Sequence, residues 1–178
     1  MHGVPRRHIV LVGLPGSGKT TAGRAAAESL GVPFVDLDAE VERRAGKPVS
    51  RIFGEGGESA FRALEESVGR EVLSGPPAVV AAGGGFFQNP ANRRAALERG
   101  MTVYLRVEPG TAAARLDRAG ISGRPLLDVA EPAAKLAELL KRREKAYLSA
   151  DHVVHTDGVP VDEVAVVVAS LARDHGAW

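Results

Sequence analysis

Ile9-Val10-Leu11-Val12 runs straight into Gly13-Leu14-Pro15-Gly16-Ser17-Gly18-Lys19-Thr20, and this junction constrains the fold more than any other stretch. A glycine, four residues and then Gly-Lys-Thr, after an apolar strand and before an alanine-rich helix, is the pattern of a phosphate-binding loop. The glycines let the backbone curl until successive N–H groups point into one concavity, at the positive end of the next helix. Gly16, Ser17, Gly18, Lys19, Thr20 and Thr21 are therefore expected to hold the phosphates of a nucleotide. Lys19 is expected on the β- and γ-phosphates and the Thr20 hydroxyl on Mg²⁺.

A chain of 178 residues can bury one sizeable core, so residues 1–178 are expected to form a single domain with appendages. Only 4 % of the residues are aromatic, which leaves valine, leucine and alanine to fill that core. The 23 Lys and Arg nearly balance the 22 Asp and Glu, so no global charge recruits nucleic acid or an anionic membrane. With no cysteine, disulfides, thiolate metal sites and thiol nucleophiles are excluded. Arg6 and Arg7 precede an apolar run, but Gly13 interrupts it too early for a signal peptide or a membrane span, and the run reads as a buried strand. The expected protein is a cytoplasmic monomer without nucleic-acid or membrane partners.

Beyond the loop, apolar runs alternate with helical patterns. Residues 21–30 read as a helix stopped by Gly31, and 34–38 as a short strand ending in acidic residues. Residues 39–45 read as a polar helix; a short helix around Ile52-Phe53 is expected to be capped by Ser50 and broken at 55–58. Helices follow at 59–73, 90–99, 109–118, 132–148 and 161–173, and strands at 78–82, 102–107 and 152–156. Trp178, at the very end, is expected to fray. Residues 119–128 lack periodicity and read as a loop. Five strands alternating with helices give an α/β fold, a five-stranded parallel sheet with helices on both faces joined by right-handed crossovers.

Several residues outside the loop suit phosphoryl chemistry. Asp36, at a strand end, suits Mg²⁺ held through its waters, or the cap of the next helix. Asp38, expected two residues further along the same strand face, suits an acceptor hydroxyl, either as a base or as an orienting group. Gly83-Gly84-Gly85 ends a central strand and offers backbone N–H groups to a polyol and the moving phosphoryl, or forms a plain turn. Arg62 reads as a ligand-binding group or as the exposed partner of Glu65 or Glu66. Arg143 lies in a charge run with Lys141, Arg142 and Lys145 that is otherwise a solvated face. No His-x-x-x-His pair occurs on an expected helix, which argues against a structural metal site.

The ordered set is narrower than any member. The phosphate-binding loop, Asp36-Leu37-Asp38, Gly57-Glu58-Ser59-Ala60-Phe61-Arg62-Ala63-Leu64-Glu65, Gly83-Gly84-Gly85, Arg124-Pro125-Leu126-Leu127 and the pair Arg143 and Tyr147 follow one another in the order found in bacterial shikimate kinases. Over about residues 9–156 the chain resembles that family, a nucleoside-monophosphate-kinase-like branch of the phosphate-loop proteins. The resemblance implies transfer of the γ-phosphoryl of MgATP to the 3-hydroxyl of shikimate, in the biosynthesis of chorismate and the aromatic amino acids. It implies a helical substrate-binding insertion at about 37–66 and a lid at about 117–128. It assigns Asp38, Arg62, Gly84 and Arg143 to the acceptor, Asp38, Lys19 and Arg124 to catalysis, and Thr20 and Asp36 to Mg²⁺.

Two guanidiniums converging on one small molecule suit a carboxylic acid, because each fork donates paired hydrogen bonds to a planar anion. The segment Thr156–Pro160 is expected beside the adenine, with Arg118 as a stacking candidate. Rival readings are a gluconate or other small-metabolite kinase, which has no need of the Gly-Glu-x-x-Phe-Arg block, and a nucleotide-binding switch, which has no need of an acceptor pocket.

The lid arginine generates a prediction. A cation delivered by lid closure acts at the transition state rather than in ground-state binding. Arginines supplied in this way are worth about 10³–10⁵ in rate, so Arg124→Ala is expected to lower kcat by at least about 100-fold while both ligand dissociation constants move far less. Single-turnover transfer beside equilibrium titrations measures this, and near-normal turnover would remove Arg124 from the reaction.

Overall fold

The computed structural model describes residues 7–120, 127, 129–175 and 178. Five parallel strands, β1 (His8–Val12), β2 (Phe34–Asp36), β3 (Val79–Ala81), β4 (Gly100–Arg106) and β5 (His152–His155), lie in the order β2-β3-β1-β4-β5. The seven helices described are α1 (Lys19–Leu30), α2 (Leu37–Ala45), α3 (Val49–Ser74), α4 (Pro90–Arg99), α5 (Pro109–Ala119), α6 (Pro132–Tyr147) and α7 (Val161–Asp174). β1 is central, with Leu11 in register with Ala81 of β3 and Val103 of β4.

The strands read as continuous apolar runs because both faces of the sheet are covered. Val10, Val12, Val80 and Tyr104 point into a core with Phe61, Val68, Phe86, Leu136 and Tyr147. Ile9, Leu11, Val79, Val103 and Leu105 point the other way, against Ala22, Ala26, Val164 and Val168 of α1 and α7. Among the described residues no helix is long and apolar enough to cross a membrane.

The structure departs from the sequence reading at element ends. β2 stops at Asp36, whose carboxylate accepts from the N–H groups of Asp38 and Ala39 and caps α2. Asp38 is therefore in the first turn of a helix, not on the strand, because the cap gives two otherwise orphaned N–H groups a partner. Ser50 caps nothing; α3 begins after Pro48, and Glu42 of α2 reaches across to accept the Val49 N–H at 2.9 Å. The expected break at 55–58 is a kink within α3 at Gly57, whose φ of 72° and ψ of −177° suit glycine alone. Trp178 does not fray: its N–H donates to Ala172 O at 3.1 Å and its ring packs on the α1–α7 core.

One close packing governs the approach of α3 to the loop after β3. A Cβ on Gly69 would meet Cε2 of the fully buried Phe86 at 2.5 Å. Gly69→Ala adds about 1 kcal/mol of helix propensity but overpacks at a cost of about 1–3 kcal/mol. The variant is expected to be less stable by about 1 kcal/mol, read from the urea midpoint; a midpoint at or above the parent's would show that Phe86 yields freely.

Candidate active site

Because all strands are parallel, their carboxyl ends share one edge, where open α/β sheets bind ligands. β1 ends in the phosphate-binding loop, β2 in Asp36, β3 in Gly83-Gly84-Gly85 and β5 in Thr156. These ends line a single cleft of about 670 Å³.

In the nucleotide half, Gly16 has φ 82° and a Cβ there would lie 2.6 Å from Ala112 O, so the turn admits only glycine. α1 starts after Gly18 with no side-chain cap and no acid in its first turn. Its first N–H groups are thus presented to the cleft, where an anion satisfies both them and the helix dipole. The Lys19 ammonium folds over the loop, donating to Gly13 O at 2.9 Å and Leu14 O at 2.8 Å. The Thr20 hydroxyl donates to Asp36 Oδ2 at 2.9 Å. Asp36 thus caps α2 with one oxygen and meets Thr20 with the other. A hydroxyl and one carboxylate suit Mg²⁺, which keeps much of its water and takes phosphate oxygens rather than a protein cage. Among the described residues no cluster of three or more His, Asp or Glu offers such a cage.

The other half is arginine-lined. A Cβ on Gly84 would lie 3.0 Å from Arg143 Nη1, and one on Gly85 would lie 2.5 Å from Arg62 Nη2. Both guanidiniums therefore flank the glycine loop, and Asp38 Oδ1 lies equally near Gly83. Within its charge run Arg143 is the buried member, while Arg142 faces out and pairs with Glu138. Arg62 borders the cleft and donates to Glu65 at 2.9 Å and Glu58 at 3.3 Å, and because Glu65 is buried the first of these pairs is not the exposed one that the sequence suggested.

Among the cleft residues that the sequence reading did not single out as site groups are Glu65, Arg115 and Leu127. Glu65 is only 1 % exposed, and its Oε2 has no hydrogen-bond partner among the described residues. Burial pushes its carboxyl above the usual range; Arg62 opposes this, Asp38 adds to it and Arg143 opposes it. Arg115 reaches the phosphate-binding loop, donating to Gly16 O at 3.3 Å, Thr156 Oγ1 at 3.1 Å and Thr156 O at 2.6 Å, while Arg118 is exposed. The available signal was a charge between Ala112 and Leu116 on the apolar face of α5. Leu127, at the end of the lid signature, is buried and lines the cleft. Arg124 lies outside the described residues.

A phosphate-binding loop facing an arginine-lined pocket in one cleft is the arrangement of a phosphate-loop kinase. The family model for shikimate kinase matches residues 15–172. The shikimate kinase of Thermobifida fusca is 51 % identical over 163 residues, covering 90 % of this chain and 91 % of that one, and that of Moorella thermoacetica is 42 % identical over 172 residues, covering 96 % and 95 %. The solved structure of shikimate kinase from Acinetobacter baumannii in complex with shikimate superposes with a TM-score of 0.90 at 37 % identity, covering 96 % of this chain and 94 % of that one. The chain belongs to the shikimate kinase family, and it is an ATP-dependent kinase.

The buried Glu65 generates a pH prediction. With its folded pKa above the unfolded value of about 4.5, its contribution to stability is full below that value and is lost as pH rises through the folded pKa. Glu65→Gln does not titrate, so the melting temperature of the variant relative to the parent is expected to climb as pH rises from about 4.5 to neutrality. A difference that stays flat with pH would show that ionisation of this group is not opposed by burial.

Proposed function

We propose that this chain transfers the γ-phosphoryl of MgATP to the 3-hydroxyl of shikimate. The observation that carries the reading is the convergence of Arg62 and Arg143 on the glycine loop, across one cleft from the phosphate-binding loop. Two forks suit one carboxylate, and each charged hydrogen bond contributes about 1.5–3 kcal/mol. The carboxylate, anchored there, leaves the ring hydroxyls toward Asp38 and the backbone N–H groups of Gly84 and Gly85.

Catalysis in this reading is positioning and charge neutralisation, because a loose phosphoryl transition state asks little covalent help of the protein. Asp38 orients the acceptor hydroxyl and offers its proton an oxygen. Lys19 gives up its loop carbonyls for phosphate oxygens, and the α1 N-terminus holds the same anion. Thr20 and Asp36 would hold Mg²⁺, which would supply Lewis-acid neutralisation of phosphate charge. Arg115 and Thr156 border the base, and Arg124 closes over the phosphates. The proposal includes action as a cytoplasmic monomer; light scattering in solution checks the monomer.

A coupled assay of ADP release against a panel of hydroxy acids and nucleotides tests the acceptor. Release is expected with shikimate and to be negligible, below about 1 % of that rate, with gluconate or nucleoside monophosphates, because gluconate offers the carboxylate without a ring that sets one hydroxyl at Asp38, and nucleoside monophosphates offer the two guanidiniums no carboxylate. Equal rates with gluconate would overturn the reading.

A further inference from the structure

The acceptor half contains a buried hydroxyl to which the proposed reaction gives no task. Tyr147 ends α6 one turn after Arg143 and is fully buried. Its hydroxyl donates to the carbonyl oxygen of Gly84.

The glycine loop explains why that bond matters. Of its three carbonyls, that of Gly83 accepts from the Phe86 N–H at 3.0 Å and that of Gly85 from the Gln88 N–H at 3.1 Å, both leading into the short 3₁₀ turn Phe86–Gln88. Among the described residues the group that holds the middle carbonyl is the Tyr147 hydroxyl. A peptide unit is planar, so fixing the Gly84 C=O also fixes the opposed N–H of Gly85. With glycine on both sides, this unit has no Cβ to resist rotation. The space around it is narrow: Cβ positions on Gly84 and Gly85 lie 3.0 Å from Arg143 Nη1 and 2.5 Å from Arg62 Nη2.

We propose that Tyr147 is a positioning residue: by holding the Gly84 carbonyl it fixes the Gly84–Gly85 peptide, and with it the seats of Arg62 and Arg143, in the orientation that receives the acceptor. Burial pushes its hydroxyl up to about 12, Arg143 opposing, so it remains a donor throughout the working pH range. The Tyr104 ring, with its centroid 5.0 Å away, keeps the Tyr147 ring in place. Gln88 Nε2 donates to Arg143 O at 3.3 Å, a second tie between the 3₁₀ turn and the same turn of α6. The inference rests on the reading that Gly84 and Arg143 border the acceptor.

The test compares steady-state constants of Tyr147→Phe, Tyr104→Phe and Arg143→Lys with the parent, each with its melting temperature. Tyr147→Phe removes one oxygen and is expected to raise the KM for shikimate about tenfold, the worth of one hydrogen bond whose acceptor is left unpaired, while the KM for ATP stays within about twofold. Tyr104→Phe removes a hydroxyl that has no hydrogen-bond partner among the described residues, so neither KM is expected to move. If Tyr147→Phe folds poorly, equilibrium titration with shikimate and with ATP in the cold reads the same split. An unchanged shikimate KM in Tyr147→Phe, or equal rises for both substrates with a lowered melting temperature, overturns the positioning role. If Arg143→Lys raises the shikimate KM while Tyr147→Phe does not, the positioning role alone fails. If Arg143→Lys leaves it unchanged, the acceptor reading fails as well.

Discussion

In a sheet whose strands all run one way, the carboxyl ends lie along a single edge, and the site depends on that constraint. β1, β2, β3 and β5 come from four separate parts of the chain, yet each ends at the same cleft. Helices pack on both faces of the central strands, so the ends of those strands are left to the ligand. The phosphate-binding loop gains its neighbours in this way: Asp36 meets Thr20, and Gly83–Gly85 lie across from Pro15, without any of these segments being close in sequence.

Charge in the cleft follows from the same geometry. Arg62 and Arg143 stand on helices from different halves of the chain and approach one glycine loop. Side chains on that loop would collide with both guanidiniums. Glu65 counterbalances Arg62 from below, and the pair is held in a setting that desolvates the carboxyl. A buried pair of this kind adds little stability in itself, because desolvation offsets the attraction. It holds the guanidinium in one orientation, which matters more for recognising a planar anion.

The fold class and every strand were legible in the chain, whereas the charge run around Arg143 read equally as a solvated face and only the family resemblance selected Arg143. Apolar runs of four to five residues bounded by glycine and proline have few alternatives once a phosphate-binding loop follows the first of them. The ends of elements were less legible. Asp36 looked like a strand residue until the N–H groups of Asp38 and Ala39 were seen to need it, and Ser50 looked like a cap because Glu42, seven residues before Val49, could not be seen to reach that N–H group. Arg115 was overlooked because a single charge on an apolar helix face says nothing of what stands opposite. In this fold the Gly16 carbonyl and Thr156 stand there, 99 and 41 residues away along the chain.

The sequence by itself determined the local chemistry: glycines where φ must be positive, a lysine and a threonine at the start of a helix, and apolar periods that decide strand or helix. Those are properties of near neighbours, and near neighbours suffice to read them. Tertiary structure alone decided which charges are buried, which carbonyls are held and which ends meet. The Glu65 carboxyl, the Arg115 bridge and the Tyr147 hydroxyl on the Gly84 carbonyl acquire their roles from partners distant in the chain. Desolvation and hydrogen-bond geometry depend on the distances between those partners, and folding is what brings them within reach.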